Sequence, residues 1–121
     1  MSRANTLKDT DTLRAVIYTR VSPPQPPFDS EALDDAKKIQ LHICESKAVD
    51  IEATIIGSYD DDLPDSEYRK GLGRLMERVV GDRDVDVVIV DRLDTLAQDR
   101  TTLRDLRELM REGGARLATA S

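Results

Sequence analysis

An arginine and a serine lie two positions apart at the end of the predicted first strand. The stretch YTRVS covers residues 18–22 and contains Arg20 and Ser22. Side chains at positions i and i+2 of a strand point to the same side, so a hydroxyl nucleophile can face the same ligand as a guanidinium. Such a pair suits attack on a phosphodiester, because the guanidinium can hold the nonbridging oxygens and neutralise charge in the transition state. Taken alone, a serine at a strand end is more often a turn residue or a helix cap.

The segments around this pair alternate between strand and helix patterns. Strand-like runs are predicted at 14–19, 51–59, 84–90 and 115–119, and helical spacing at 29–48, 69–80 and 101–111. This order predicts an α/β fold of three layers, with a mostly parallel four-stranded sheet between helices. Three connections leave the carboxyl ends of the predicted strands, at 22–28, 59–68 and 91–100. The first holds four prolines and the second is acidic. Open α/β sheets place their ligand sites at this edge.

Length, composition and charge limit the classes of function. The 121 residues suffice for one domain, predicted at 14–121 after a flexible segment at 1–13. A net charge of −6 argues against broad capture of DNA or of anionic membranes, so any nucleic-acid contact must be local. The chain has no apolar run that could span a bilayer and no signal-peptide pattern, which favours a cytoplasmic location. One cysteine and one histidine exclude an internal disulfide and a zinc site of thiolates and imidazoles.

Several segments together resemble the catalytic domain of the serine recombinases, the resolvase and invertase family. They are YTRVS, a glutamine in the first helix, YRKGLGRLM and DVDVVIVDRLDTL, and the resemblance covers residues 14–121. It implies a resolvase-like fold and DNA cleavage and rejoining through a 5′-phosphoserine intermediate, with no metal or nucleotide cofactor. On the matching positions Ser22 is the nucleophile, Arg20 and Arg69 bind phosphate, and Gln40 and Asp94 support them. The implied partners are DNA and either a second copy or a homologous recombinase; no membrane and no separate DNA-binding domain are predicted.

The sequence departs from the family where two arginines are expected. The family motif LDRLxR is here LDTLAQ, with Thr95 and Gln98 in the arginine positions. An arginine that stabilises a phosphoryl-transfer transition state can be worth ~10³–10⁵ in rate, so weakened cleavage is expected. Arg92 and Arg100 are the nearby candidates to replace them. The acidic segment 59–68 would also oppose a bound phosphate unless it points into solvent. The alternative hypothesis is a catalytically inactive, recombinase-like module that binds or regulates another protein.

Other chemistry-bearing residues have simpler interpretations. His42 is expected to be solvated, because it lies off the helix face formed by Leu33, Ala36, Gln40 and Ile43. Cys44 is expected to pack as a small hydrophobe. A phosphoacceptor receiver domain shares the βα order, but it needs a lysine after a later strand, and no lysine follows Lys70.

Overall fold

A computed structural model of the chain describes residues 12–21, 30–62 and 69–120. Strands and helices alternate along these ranges. They are β1 (Leu13–Val21), α1 (Ser30–Asp50), β2 (Ala53–Asp62), α2 (Lys70–Glu77), β3 (Val87–Val90), α3 (Leu93–Leu96), α4 (Arg100–Glu112) and β4 (Arg116–Thr119). A π-helical turn, Arg78–Asp82, continues α2. The predicted α/β fold is confirmed.

The four strands form one parallel sheet in the order β2-β1-β3-β4. β1 is central and pairs with β2 along its whole length, so that Arg20 lies opposite Asp61. Its pairs with β3 run only from Ala15↔Val87 to Ile17↔Ile89. The carboxyl end of β1 therefore extends past the paired part of β3, and this leaves a notch at the edge where α/β folds bind ligands.

Alternation along the strands separates two apolar cores. Val16 and Tyr18 of β1 face α2, α3 and α4, whereas Ala15 and Ile17 face α1. Cys44 belongs to the second core and is fully buried, as predicted. The three valines and the one isoleucine of β3 are all fully buried, which is the pattern of a parallel strand covered on both faces.

Strand boundaries differ from the prediction at three places. β1 runs to Val21 instead of ending at residue 19, and β2 runs to Asp62, so residues 59–62 are strand instead of loop. Pairing with β1 overrides the low strand propensity of aspartate there. β3 is shorter than predicted and begins at Val87; Asp86, just before it, donates its backbone N–H to the carbonyl of Arg14 and forms an ion pair with the Arg14 side chain at 3.0 Å. The short helix α3 was not predicted.

Helix α1 confirms one expectation and corrects another. His42 is exposed, as predicted. Ile43 is 38% exposed, so its assignment to the inward face was wrong; Cys44 and Ala48, one turn apart, are buried instead. The predictions for residues 1–11 and for the proline-rich connection at 22–28 lie outside the described residues. No described helix is long and apolar enough to cross a membrane.

Candidate active site

The carboxyl ends of β1 and β3 border a pocket of about 350 Å³. It is lined by Arg20, Val21, Gln40, Arg92, Asp94, Thr95 and Gln98. Three of the five predicted site residues, Arg20, Gln40 and Asp94, therefore meet at one pocket. Ser22 lies outside the described residues, and it directly follows Val21 in the chain.

Gln40 holds the end of β1 in place. Its Nε2 donates to the carbonyl of Arg20 at 2.8 Å, and its Oε1 accepts the backbone N–H of Arg20 at 3.0 Å. The β1–β3 pairs end at Ile17, so the Gln40 amide satisfies backbone groups that β3 does not reach. This contact fixes the backbone two residues before Ser22.

Arg69 is engaged beside the pocket and does not line it. Its Nε and Nη2 donate to the hydroxyl of Tyr18 at 3.3 and 3.0 Å, and Nη2 also donates to the carbonyl of Thr95 at 3.0 Å. The guanidinium carbon lies 5.4 Å from the centroid of the Tyr18 ring, within the range of a cation–π contact. Arg69 thus connects β1 with α3, and its predicted contact with phosphate stays a prediction.

Asp61 joins this network and caps α2. Its Oδ2 accepts the Tyr18 hydroxyl at 2.7 Å and the N–H of Leu72 at 2.9 Å, and its Oδ1 accepts the N–H of Gly71 at 2.7 Å. A carboxylate at a helix N-terminus is stabilised by the unpaired N–H groups and the helix dipole. Burial and the adjacent Asp61 raise the pKa of Tyr18 above its usual value, so its hydroxyl stays protonated and can donate.

Asp60 and Asp61, near the end of β2, do not line the pocket. Asp61 is held by α2 and Tyr18, and Asp60 forms an ion pair with Lys37 at 3.0 Å. The expectation of a loop was wrong for Asp60 and Asp61, because both belong to the paired strand β2, while Asp60 is exposed to solvent.

Thr95 and Gln98, which the sequence motif predicts in place of the family's arginines, have different surroundings. Thr95 is buried in α3, and its hydroxyl donates to Asp91. Gln98 is exposed at the pocket wall. Neither side chain carries the charge that an arginine would bring to a phosphate.

Arg92 lines the pocket although it is not part of the aligned motif. It follows β3 and precedes α3, and its backbone N–H donates to Asp91 Oδ1 at 2.9 Å. Within the described ranges no carboxylate forms an ion pair with Arg20 or Arg92. Arg100, the other proposed replacement, does not line the pocket. Among the described lining residues, two arginines and one aspartate, Asp94, leave one excess positive charge.

The comparison with protein families decides the assignment. The model "Resolvase, N terminal domain" matches residues 15–121. The chain belongs to the resolvase family. No curated protein matches the sequence.

Solved structures support the same assignment for this resolvase-family chain. The C-terminal catalytic domain of ISC1926 TnpA, an IS607-like serine recombinase, is 26% identical with a TM-score of 0.73, over 90% of this chain and 70% of that one. A resolvase family site-specific recombinase from Streptococcus pneumoniae shares the fold at 20% identity and a TM-score of 0.74, over 90% and 72% of the two chains. The N-terminal catalytic domain of TP901-1 integrase also shares the fold, at 21% identity and a TM-score of 0.67, over 88% of this chain and 77% of that one.

Proposed function

We propose that this chain is the catalytic domain of a serine site-specific recombinase that cleaves and rejoins DNA through Ser22, acting in the cytoplasm. The observation that carries the proposal is the pocket at the carboxyl ends of β1 and β3. It is lined by two arginines, Arg20 and Arg92, that have no carboxylate partner among the described residues, and Val21 of the lining is followed directly by Ser22. Guanidinium groups are well suited to bind phosphate oxygens in two-point contacts.

The proposed reaction is a transesterification at phosphorus. The Ser22 Oγ attacks the phosphodiester, the new O–P bond forms, and the bond from phosphorus to the 3′ oxygen of the neighbouring nucleotide breaks. The products are a 5′-phosphoserine and a free 3′ hydroxyl. The hydroxyl proton of Ser22 passes to a base, and the departing 3′ oxygen takes up one proton, so protons and charge balance. Rejoining is the reverse attack by a 3′ hydroxyl, and the proposal needs no metal or nucleotide cofactor.

The described residues divide into binding, proton-transfer and positioning roles. In the proposal Arg20 and Arg92 bind the nonbridging oxygens and neutralise the charge that develops on them. Asp94 carries the one carboxylate among the described lining residues, and it accepts the proton of Ser22. Gln40 holds the end of β1, and Arg69 holds the carbonyl of Thr95 against Tyr18, so both act as positioning residues.

A second candidate function is favoured by Thr95 and Gln98. With neither arginine of the family motif present, the domain would be an inactive, recombinase-like module that pairs with a second copy or with an active homologue. The first proposal differs from it in one measurable respect, since it requires a covalent bond between Ser22 and DNA.

The test is covalent trapping on DNA. The protein is incubated with a pool of nicked duplexes of randomised sequence, so that no target site needs to be known, and adducts are separated on a denaturing gel. The first proposal predicts a protein–DNA adduct that is lost in Ser22→Ala and retained in Ser30→Ala. An adduct that persists in Ser22→Ala would refute the role of Ser22. No adduct from the wild-type chain, where an active resolvase domain forms one from the same pool, would favour the inactive module.

The same assay tests the role of Arg92. Replacing one transition-state arginine in phosphoryl transfer typically lowers the rate by ~10³–10⁵, and we expect Arg92→Gln to slow adduct formation at least ~100-fold. Arg74→Gln is the matched control, because Arg74 is also exposed but lies on α2 away from this pocket. Equal rates for the two variants would remove Arg92 from the site while leaving the role of Ser22 intact.

A further inference from the structure

One side of helix α4 carries a regular row of arginines. Arg100, Arg104, Arg107 and Arg111 are spaced i, i+4, i+7 and i+11, which places them within roughly 60° of arc on an α-helix. All four are exposed. We name this row the arginine stripe. It contrasts with the net charge of −6 of the whole chain.

The far end of the arginine stripe opens into a groove. Arg107 and Arg111 line a groove of about 210 Å³ between α4 and the edge strand β4, together with Ala115, Arg116 and Leu117. Among the described residues no carboxylate forms an ion pair with Arg107, Arg111 or Arg116. The acidic residues of α4, Asp105, Glu108 and Glu112, lie on a different side of the helix, about 100° around its axis.

The arginine stripe as a whole is not explained by the stability of α4, although Arg111 in the last turn complements the helix dipole. Like charges at i and i+4 destabilise a helix, and Arg100 in the first turn opposes the helix dipole. Among the described residues, the one ion pair of the row joins Arg104 with Asp105 at 3.5 Å; both side chains are about two-thirds exposed, so it contributes little. The contacts that hold α4 in the fold come from Leu106 and Met110 on the buried side.

We propose that the arginine stripe and its groove bind the phosphate backbone of DNA beside the pocket. That the bound polyanion is DNA rests on the proposed function, whereas the position of the row beside the pocket comes from the structure. Arg100 lies two residues after Gln98, which lines the pocket. From Arg100 to Arg111 the row spans about 17 Å at 1.5 Å per residue, which matches roughly five base-pair steps along the axis of a DNA duplex at 3.4 Å each.

The surroundings of the row favour a nucleic acid over a protein partner. Protein interfaces have an apolar core, but the side chains that share this side of α4 are arginines, and Leu103 next to them is half-buried in the fold. Separate, solvated guanidiniums are the usual contacts to DNA phosphates, where they position the protein without reading sequence.

The experiment measures how DNA binding depends on salt. The probe is a fluorescein-labelled 30-base-pair duplex of arbitrary sequence, titrated with the full chain in fluorescence anisotropy at several salt concentrations. The variant is the triple Arg104→Gln, Arg107→Gln, Arg111→Gln. The control is the triple Lys38→Gln, Lys70→Gln, Arg74→Gln, which removes the same charge from exposed positions on α1 and α2. Circular dichroism and thermal unfolding check that both triples are folded.

Each phosphate contact contributes about 0.9 to the slope of log K against log salt concentration. We expect the stripe triple to lower the slope by roughly 2–3 and to weaken binding at least tenfold at low salt, while the control triple changes affinity less than threefold. Equal effects of the two triples, or no binding by the wild-type chain at low salt, would overturn the inference. Binding that follows this pattern without an adduct at Ser22 would instead count against the proposed function, so the two failures are distinguishable.

Discussion

Removing the hydroxyl of Tyr18 tests the network that connects the pocket to the core. Tyr18 is fully buried, and its hydroxyl takes part in three hydrogen bonds, one to Asp61 and two from Arg69. Tyr18→Phe deletes all three and leaves the ring in place. The same change removes the hydrogen bonds from Arg69 to β1, while the aromatic ring beside its guanidinium and its bond to the carbonyl of Thr95 remain.

The expected loss of stability follows from these partners. A hydrogen bond to a charged group contributes ~1.5–3 kcal/mol, and more is lost when a buried partner is left unsatisfied. Here Asp61 keeps its two helix N–H donors and Arg69 keeps one acceptor, so neither is left without a partner. We therefore expect Tyr18→Phe to lower the free energy of unfolding by ~2–3 kcal/mol, which corresponds to a fall in Tm of roughly 8–15 °C.

Tyr59→Phe is the matched control. The Tyr59 hydroxyl accepts one hydrogen bond, from Arg78 at 3.2 Å, and Arg78 stays paired with Asp84 at 2.9 Å without it. This variant should cost less than ~1 kcal/mol. Urea denaturation followed by circular dichroism gives both values under the same conditions. If Tyr18→Phe costs no more than Tyr59→Phe, the three hydrogen bonds do not stabilise the fold as described.

Three further predictions concern a glycine pair, the buried thiol and the pocket wall. Gly71→Ala should lower the free energy of unfolding by ~1–3 kcal/mol in urea denaturation, because the new Cβ would overlap the backbone carbonyl of Asp60. Gly73→Ala should raise it by ~0.5–1 kcal/mol, because the new Cβ there meets open space. A change of the same sign in both variants would contradict the packing of α2 on β2. Burial raises the pKa of the Cys44 thiol from 9.0 to about 12. Above pH 9 the thiol ionises in the unfolded chain while it stays protonated in the folded one, so the free energy of unfolding keeps its full value below pH 9 and falls as the pH rises towards 12. Stability should fall by up to ~1.4 kcal/mol per pH unit above pH 9, and a slope between pH 9 and 10 that is unchanged in Cys44→Ala would refute this origin. Gln98→Arg, which restores one arginine of the family motif at the pocket wall, should speed adduct formation at least ~100-fold in the trapping assay, and an unchanged rate would contradict the assignment of this position.

The sheet could be predicted from the sequence because its signals are local. The β-branched runs of β1 and β3 and the helical spacing between them indicate a parallel sheet without knowledge of any contact. The burial of Cys44 was expected from its residue type, whereas the helix face chosen from the spacing wrongly included Ile43. The strand at Asp60 and Asp61 was not, because those residues become strand only by pairing with β1.

The site was predictable in its residue types and less so in its geometry. Arg20, Gln40 and Asp94 could be chosen from the motif, and they line one pocket. The position of Arg92 depends on where β3 ends relative to β1, which no local pattern encodes. The partners of Arg69 come from Tyr18 and Thr95, 51 and 26 residues away in the sequence, so its engagement beside the pocket could be seen only in the folded chain.

The most direct test of the central claim is to identify the residue that carries DNA in the trapped adduct. The adduct is digested with nuclease and trypsin, and the peptide that follows Arg20 is sequenced by mass spectrometry. It contains two serines, Ser22 and Ser30, which makes the second an internal control. Cleavage through Ser22 predicts a 5′-linked nucleotide on Ser22 and none on Ser30. A nucleotide on any other residue, or an unmodified Ser22 in a sample that contains the adduct, would contradict it.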